Sequence, residues 1–439
     1  MSKLDIVRSE IANYDYIRFA ITDINGTCRG VVVPSRNAAK YLEGGVDMYE
    51  EVLMLSLETE LATIPHKNCY HYGNMTLVPD LDTLRPIPWG GDGKFRVAEL
   101  LCESHWRIDN SPQEACPRYV LRQQIQRLDE LGLDLYSGFE IEYFLFHADT
   151  MKPIFFGRDF MNHRIQNQTG PLLFKFEGEL FKAGVDVDKI HSEYAPGMFE
   201  AVMKPQYGIG GGDATFNLKQ GLMELADLNG LKATFMSKLD LEQTGCGAHF
   251  NFSLLSKDTR ENAFYDQRAS DKLSTTAKQW IAGILKHSRA LTALTSPTIN
   301  CYRRLHQPWA PGSIFWGIEN REASLRVKNH GPSGTYLENR MPSGRSNPYI
   351  VMAAIIAAGL DGVKNKLECP PSTNLKEGEP LPFTLDEALK DLQADTDLVK
   401  ALGEEFVSWF VTCKELDLKR FAEVADDKER MELEKKIYF

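Results

Sequence analysis

The stretch Gly138-Phe139-Glu140-Ile141-Glu142-Tyr143-Phe144-Leu145-Phe146 constrains this chain more than any other. Aromatic and apolar residues dominate it, which is the composition of a β-strand. Side chains on a strand alternate between faces, so Glu140 and Glu142 project from the same side. Two carboxylates side by side on a mostly apolar strand repel each other and lose hydration. The fold has to bring positive charge to them, as arginines or as divalent cations.

Further groups of that kind stand downstream. The segment from His191 to Val202 carries Glu193 and Glu200 on either side of the turn signal Pro196-Gly197. The alternating strand Ala248 to Leu254 carries His249 on the face opposite Phe250 and Phe252, and Glu338 stands in Leu337-Glu338-Asn339-Arg340. Five carboxylates and one imidazole form a hard-donor inventory, which suits Mg²⁺ or Mn²⁺ better than zinc or copper. Taken singly, each reads as an ordinary surface or salt-bridged residue, and composition alone does not assemble them. Cations cluster as well: Arg303, Arg304, Arg321, Arg326 and Arg340. Guanidinium forks grip phosphate and carboxylate, although in isolation an ion-paired cluster is the plainer reading. Gly208-Ile209-Gly210-Gly211-Gly212-Asp213 lacks the Lys-Ser/Thr of a P-loop and reads as a turn.

In chain order, Ile17 to Pro34 reads as a hairpin turning at Asn25-Gly26. Val52 to Leu55 is a further apolar piece, and strands are expected at Met75–Asp80 and Phe95–Cys102, so the first hundred residues are mostly β. A helix follows from about Pro117 to Leu131, closed by Gly132. Phe155 to Val185 shows no single pattern. Helices are expected at about Thr215–Asn229, Lys272–Leu291 and Ile350–Lys366, with a charged helical tail from about Leu385. A net charge of −11 without a basic block argues against nucleic acid as a partner. The longest small-apolar run, Ile350 to Leu360, is too short for a membrane span, and no secretory signal opens the chain. The eight cysteines, Cys69 among them, are scattered without a CxxC pair, which reads as reduced thiols in a cytoplasmic protein and argues against a zinc–thiolate site.

The order of these motifs resembles the type I glutamine synthetase superfamily over nearly the whole chain. Asp23-Ile24-Asn25-Gly26, with Arg29-Gly30 and Pro34, is similar to the opening of that family's β-grasp domain. Pro79-Asp80-Leu81-Asp82-Thr83-Leu84-Arg85 with Pro88-Trp89, the strand carrying Glu140 and Glu142, and Glu193 through Glu200 each resemble a family segment. So do Thr234-Phe235-Met236-Ser237-Lys238 with Gly245 to His249, Asn300 to Leu305, and Leu337 to Arg340. The resemblance implies an α+β fold, with a β-grasp domain over residues 1–108 and a catalytic α/β domain, a curved antiparallel sheet with helices, over residues 109–439. It implies two Mg or Mn sites: Glu142, Glu193 and Glu200 for one, Glu140, His249 and Glu338 for the other. It places Arg304 and Arg340 on glutamate and the acyl phosphate. It places Arg321, Arg326, Lys238, Asn251 and Ser253 around ATP. It also implies a homo-oligomer, a dodecamer of two stacked hexameric rings.

Departures from the family pattern fall on the amine side. Its flap carries a carboxylate where this chain reads Pro308-Trp309-Ala310-Pro311. Met198 replaces a Gln, Thr244 an Asn, Asn251 a His near the nucleotide, and Tyr336 a phosphate-contacting Arg. The segment that deprotonates ammonium has no clear counterpart. Loss of the flap carboxylate removes a general base and a lid. The pattern resembles the lengsin branch, a lens protein similar to glutamine synthetase but without its activity. The expectation is a structural or chaperone-type oligomer, associated with intermediate filaments and binding ATP weakly. The alternative is an active ATP-dependent ligase joining glutamate to ammonia or a bulkier amine.

Overall fold

A computed structural model describes residues 1–62, 73–157, 160–373 and 378–439; Cys69 lies outside them. Two sheets organise the described chain. The first has six strands. Tyr16–Thr22 and Cys28–Pro34 form the expected hairpin, Tyr16 standing opposite Pro34 and Thr22 opposite Cys28. Tyr16–Thr22 also runs parallel to Val97–Trp106, the central strand, which pairs in turn with Asn74–Pro79. Val52–Met54 is a single 3₁₀ turn.

The second sheet has nine strands. Leu133–His147, the strand that carries Glu140 and Glu142, lies at its middle and is fifteen residues long. Ala248–Ser256 borders it on one side and Met198–Met203 on the other. Thr335–Asn339 and Leu325–Asn329 extend the first side, and Val187–Ser192 the second. The helices Pro117–Glu130 and Gly210–Leu228 pack on this sheet, and Pro348–Lys364 packs against both of them. The apolar run from Tyr349 to Ala358 is buried all round, as a helix without a polar face must be. It packs against Thr275–Thr295 so closely that a Cβ on Gly359 would lie 1.9 Å from the Trp280 ring.

Two segments differ from the sequence expectation. The unassigned stretch contains a helix, His163–Lys182, with Pro171 inside it and Asn162 capping its first turn. Only Gly208-Ile209 of the glycine-rich stretch is a turn; a helix begins at Gly210. Its glycines serve close packing, since a Cβ on Gly211 would meet Ser137 Oγ at 2.7 Å and one on Gly212 the Tyr349 ring at 3.0 Å.

The two sheets are tied by charged and polar groups. Arg118 is buried and reaches Asp80, Glu103 and Asp213 at 2.8 to 3.1 Å. Arg18 and the Trp89 indole both bind Glu224. The Asn347 amide donates to the Asp23 carbonyl at 2.9 Å, and Lys414, fully buried on the helix Glu404–Ala422, bonds Asn25. The helix Asp427–Tyr438 folds back onto the second sheet, where Thr234 Oγ1 donates to the Tyr438 carbonyl at 3.0 Å. Among the described residues no helix is long and apolar enough to cross a membrane, and the seven described cysteines are unpaired.

Candidate metal centre

Strand register gathers the acidic residues. His249 stands opposite Glu140 on one neighbour of the central strand, and Glu200 stands opposite Glu142 on the other. One strand further out on each side, Glu338 lies across from Asn251, and His191 lies across from Glu200. Residues more than a hundred positions apart thus line one surface. His249 Nδ1 lies 3.4 Å from Glu140 and 3.5 Å from Glu338. His191 lies 3.1 Å from Glu200 through Nε2 and 3.4 Å from Glu193 through Nδ1.

Two donor groups result, each with one imidazole and two carboxylates whose donor atoms lie within 4.8 Å of one another: Glu140, His249 and Glu338, and His191, Glu193 and Glu200. The first group coincides with the trio that the resemblance implies. The second has His191 where the resemblance puts Glu142. The sequence held the signal for His191: it precedes Glu193 by two, the same spacing as Glu140 and Glu142. Glu142 stays beside this second group, its carboxylate accepting the Gly247 N–H.

The electrostatics match a cation-holding surface. Burial, then the Glu200 charge, pushes the Glu142 carboxyl up to about 7. Burial, with the charges of Glu142 and Glu200, pushes Glu193 up to about 9. Burial and the Arg340 charge pull His249 down to about 3, which leaves its imidazole neutral with a free lone pair. Burial works against a charged His191, but the hydrogen bond to Glu200, the Glu200 charge, the Ser192 carbonyl and the Glu140 charge together outweigh it and raise that ring's pKa. Two raised carboxyls and a neutral imidazole fit a divalent cation, and the carboxylate-rich donor set fits Mg²⁺ or Mn²⁺.

A cavity of about 360 Å³ opens over both groups. Glu140, Glu142, Glu193, Glu200 and His249 line it together with Arg304, Arg321, Arg340 and Trp309. Arg304 is buried and donates to the Met341 and Arg340 carbonyls at 3.2 Å. Arg340 pairs with Glu338 and donates to the Trp309 carbonyl at 3.3 Å. Arg326 lies beneath, engaged with Glu338 and Glu319. Asn251 and Ser253 line a second cavity of about 240 Å³, which shares Glu140 with the first and also holds Tyr136 and Tyr336. Lys238 lines neither; its ammonium donates to the Gln243 carbonyl, and its backbone is held on both sides by Asn300. The residues assigned to a nucleotide are therefore divided: Asn251 and Ser253 at one cavity, Arg321 at the other, Arg326 and Lys238 behind them.

An aromatic stack forms the other wall of the first cavity. The Phe160 and Tyr194 rings are parallel with centroids 4.6 Å apart, and Trp309 continues the stack at 6.1 Å with an 11° tilt. Trp309 stands where the family resemblance puts the flap carboxylate. Its backbone is left-handed, with φ of 69°.

Comparison with known proteins adds four findings. Residues 114–433 match the family model for the glutamine synthetase catalytic domain. Over 437 residues the chain is 30% identical to lengsin of Homo sapiens, covering 95% of this chain and 83% of that one. It is 33% identical to glutamine synthetase of Thermotoga maritima, covering 94% of each. A solved structure described as a GmaS/ADP complex superposes with a TM-score of 0.86 at 25% identity, covering 98% of each chain.

Proposed function

The chain belongs to the glutamine synthetase family, and from that premise we propose that it is a lengsin-like member which has kept the cation-holding half of the site and lost the ammonium-handling half. The observation that carries this is Trp309. Gln307, Pro308, Trp309 and Ala310 all line the cavity, and none offers a carboxylate. An ammonium ion entering there meets no flap base. The Thr244 hydroxyl faces Met198 Sδ at 3.8 Å, so the neighbouring wall is weakly polar as well.

In this reading Glu140, His249 and Glu338 hold one divalent cation. Glu193 and Glu200 hold a second, with Glu142 beside them, and Arg304 and Arg340 face a carboxylate ligand such as glutamate. Mg²⁺ or Mn²⁺ held there would neutralise the carboxylates and polarise phosphate or carboxylate oxygens. ATP would enter on the side of Asn251 and Ser253. Tyr336 and Asn251 supply no cationic group there, so its affinity is weak. Residues 1–108 form a β-grasp domain and residues 109–439 a catalytic-type domain. The protein works as a cytoplasmic structural or chaperone-type homo-oligomer, a dodecamer of two stacked hexameric rings, with intermediate filaments as its partner.

Phosphate release is the test. The protein is incubated with Mg²⁺, ATP and glutamate, with ammonia or a panel of amines. No amine-dependent phosphate release, with Mn²⁺ binding intact, is expected. A second reading is an active ligase that joins glutamate to a bulkier amine, and the aromatic wall favours it. Phosphate release that depends on such an amine, but not on ammonia, would establish that reading in place of the first.

A further inference from the structure

The helix His163–Lys182 carries two apolar stripes where a surface helix needs one. Ile165, Thr169, Leu173, Phe176 and Leu180 form the first and are buried. Pro171, Phe174, Gly178 and Phe181 form the second, on the solvent side, at the alternating three- and four-residue spacing of a coiled-coil seam. Phe174 is 72% exposed and Phe181 59%, whereas large aromatics with no other task bury most of their surface.

Nothing within the chain requires glycine at position 178. A Cβ there would meet nothing within 4 Å, and glycine weakens a helix interior relative to alanine. Its effect is an open notch between two projecting phenyl rings. Charged neighbours are drawn aside from the stripe: the Lys175 ammonium donates to the Asn229 side chain and the Lys182 ammonium to Glu179, both at 2.8 Å.

Knobs flanking a notch on one helix fit a copy of the same helix. About a two-fold axis near Phe176, an antiparallel pair sets Phe174 of each copy against Gly178 of the other, and Phe181 of each against Pro171 of the other. Every contact then occurs twice, as an isologous interface requires. A parallel pair would set ring against ring and notch against notch, which leaves a void. We infer that the outer stripe of this helix joins two copies of the chain, antiparallel, with each Phe174 seated in the Gly178 notch of the other. The four rings together bury on the order of 500 Å², well short of the roughly 1,200 Å² at which stable interfaces begin. Alone the contact is weak and concentration-dependent, and it strengthens where other contacts already hold several copies together. It involves neither the cation cavity nor the fate of the ligase chemistry.

The experiment mixes full-length Phe174→Cys protein with full-length Gly178→Cys protein and oxidises the mixture. Wild type treated alike controls for the native thiols. Mass spectrometry of the disulfide-linked peptides is expected to find position 174 joined to position 178 of another copy, at least about tenfold in excess over 174 joined to 174. Sedimentation velocity then compares wild type with Gly178→Gln, which fills the notch. Because no atom of the chain lies near that site, the variant should keep the wild-type melting temperature or exceed it. At concentrations where wild type is paired, Gly178→Gln is expected to sediment as a particle of half the mass. Predominant 174–174 linkage, no linkage above the wild-type control, or identical sedimentation of a folded Gly178→Gln and wild type overturns the inference.

Discussion

Glutamine in place of Glu193 should stabilise the protein when no divalent cation is present. Glu193 is buried at the junction of three carboxylates, and its carboxyl is pushed up to about 9 from an ordinary value of 4.5. Between those values the folded protein holds a proton that the unfolded chain releases. Stability therefore falls as pH rises through that interval. At pH 7.5 the penalty is three units at 1.36 kcal/mol each, about 4 kcal/mol as an upper bound. Water entry and movement of the turn between residues 192 and 198 relieve part of it, which leaves ~2 kcal/mol for Glu193→Gln to recover. A cation reverses the sign. Binding to the folded state alone adds about 2.7 kcal/mol at a concentration one hundred times its dissociation constant, and the variant forfeits most of that. Urea denaturation of both proteins at pH 6 and pH 8, in EDTA and in Mn²⁺, measures all four corners. The reasoning is refuted if the variant is less stable than wild type in EDTA at pH 8, or if the difference between them is the same at pH 6.

Other perturbations test other parts of the structure. Glu140→Ala should lower Mn²⁺ affinity at least about tenfold by titration, because ligand-sphere losses are of that size; unchanged affinity would remove Glu140 from the cation site. His287 is buried between Asp361 and Asp395, at 3.0 and 2.6 Å, and those hydrogen bonds and charges raise its pKa against the effect of burial. That contribution is complete below the ring's unfolded value and is lost as pH rises through the raised folded value. His287→Gln should therefore flatten the loss of urea midpoint on the alkaline side, and should cost about 3 kcal/mol at pH 6. Gly359→Ala drives a methyl into the Trp280 ring and should cost about 3 kcal/mol in the same assay, with Mn²⁺ binding retained by the folded fraction.

Local patterns made part of this structure readable. Asn25-Gly26 marked the first hairpin, and the i, i+2 spacing of Glu140 and Glu142 put both on one face of a strand that is the middle of its sheet. What local pattern could not supply was register. The contact between His249 and Glu140 bridges 109 positions, and only the family resemblance linked them. His191 repeats the same two-residue spacing, but a pattern of paired carboxylates does not point to an imidazole. The helix His163–Lys182 buries Ile165, Leu173, Phe176 and Leu180, a helical stripe masked by Gly170-Pro171, which in most chains ends a helix. The glycine-rich stretch reads as a turn by composition, whereas Gly211 and Gly212 sit in a helix and leave room for Ser137 and Tyr349.

The ties between the two sheets bear on how this molecule moves. Arg118 spans Asp80, Glu103 and Asp213 from a buried position, Glu224 is shared by Arg18 and Trp89, and Lys414 reaches Asn25 across 389 positions of chain. A hinge between the sheets would have to strip several charge-assisted hydrogen bonds from buried partners at once. Swinging of one half against the other is thereby closed off as a means of shutting the cavity. Motion is left to the short loop around Trp309, closed on itself by the His306 N–H on the Pro311 carbonyl and the Ala310 N–H on the Gln307 carbonyl, and tied to Arg340 through the Trp309 carbonyl. Opening and closing then depend on a few loop hydrogen bonds and one ring stack, a small barrier beside the buried charge-assisted bonds of the frame, which stays still.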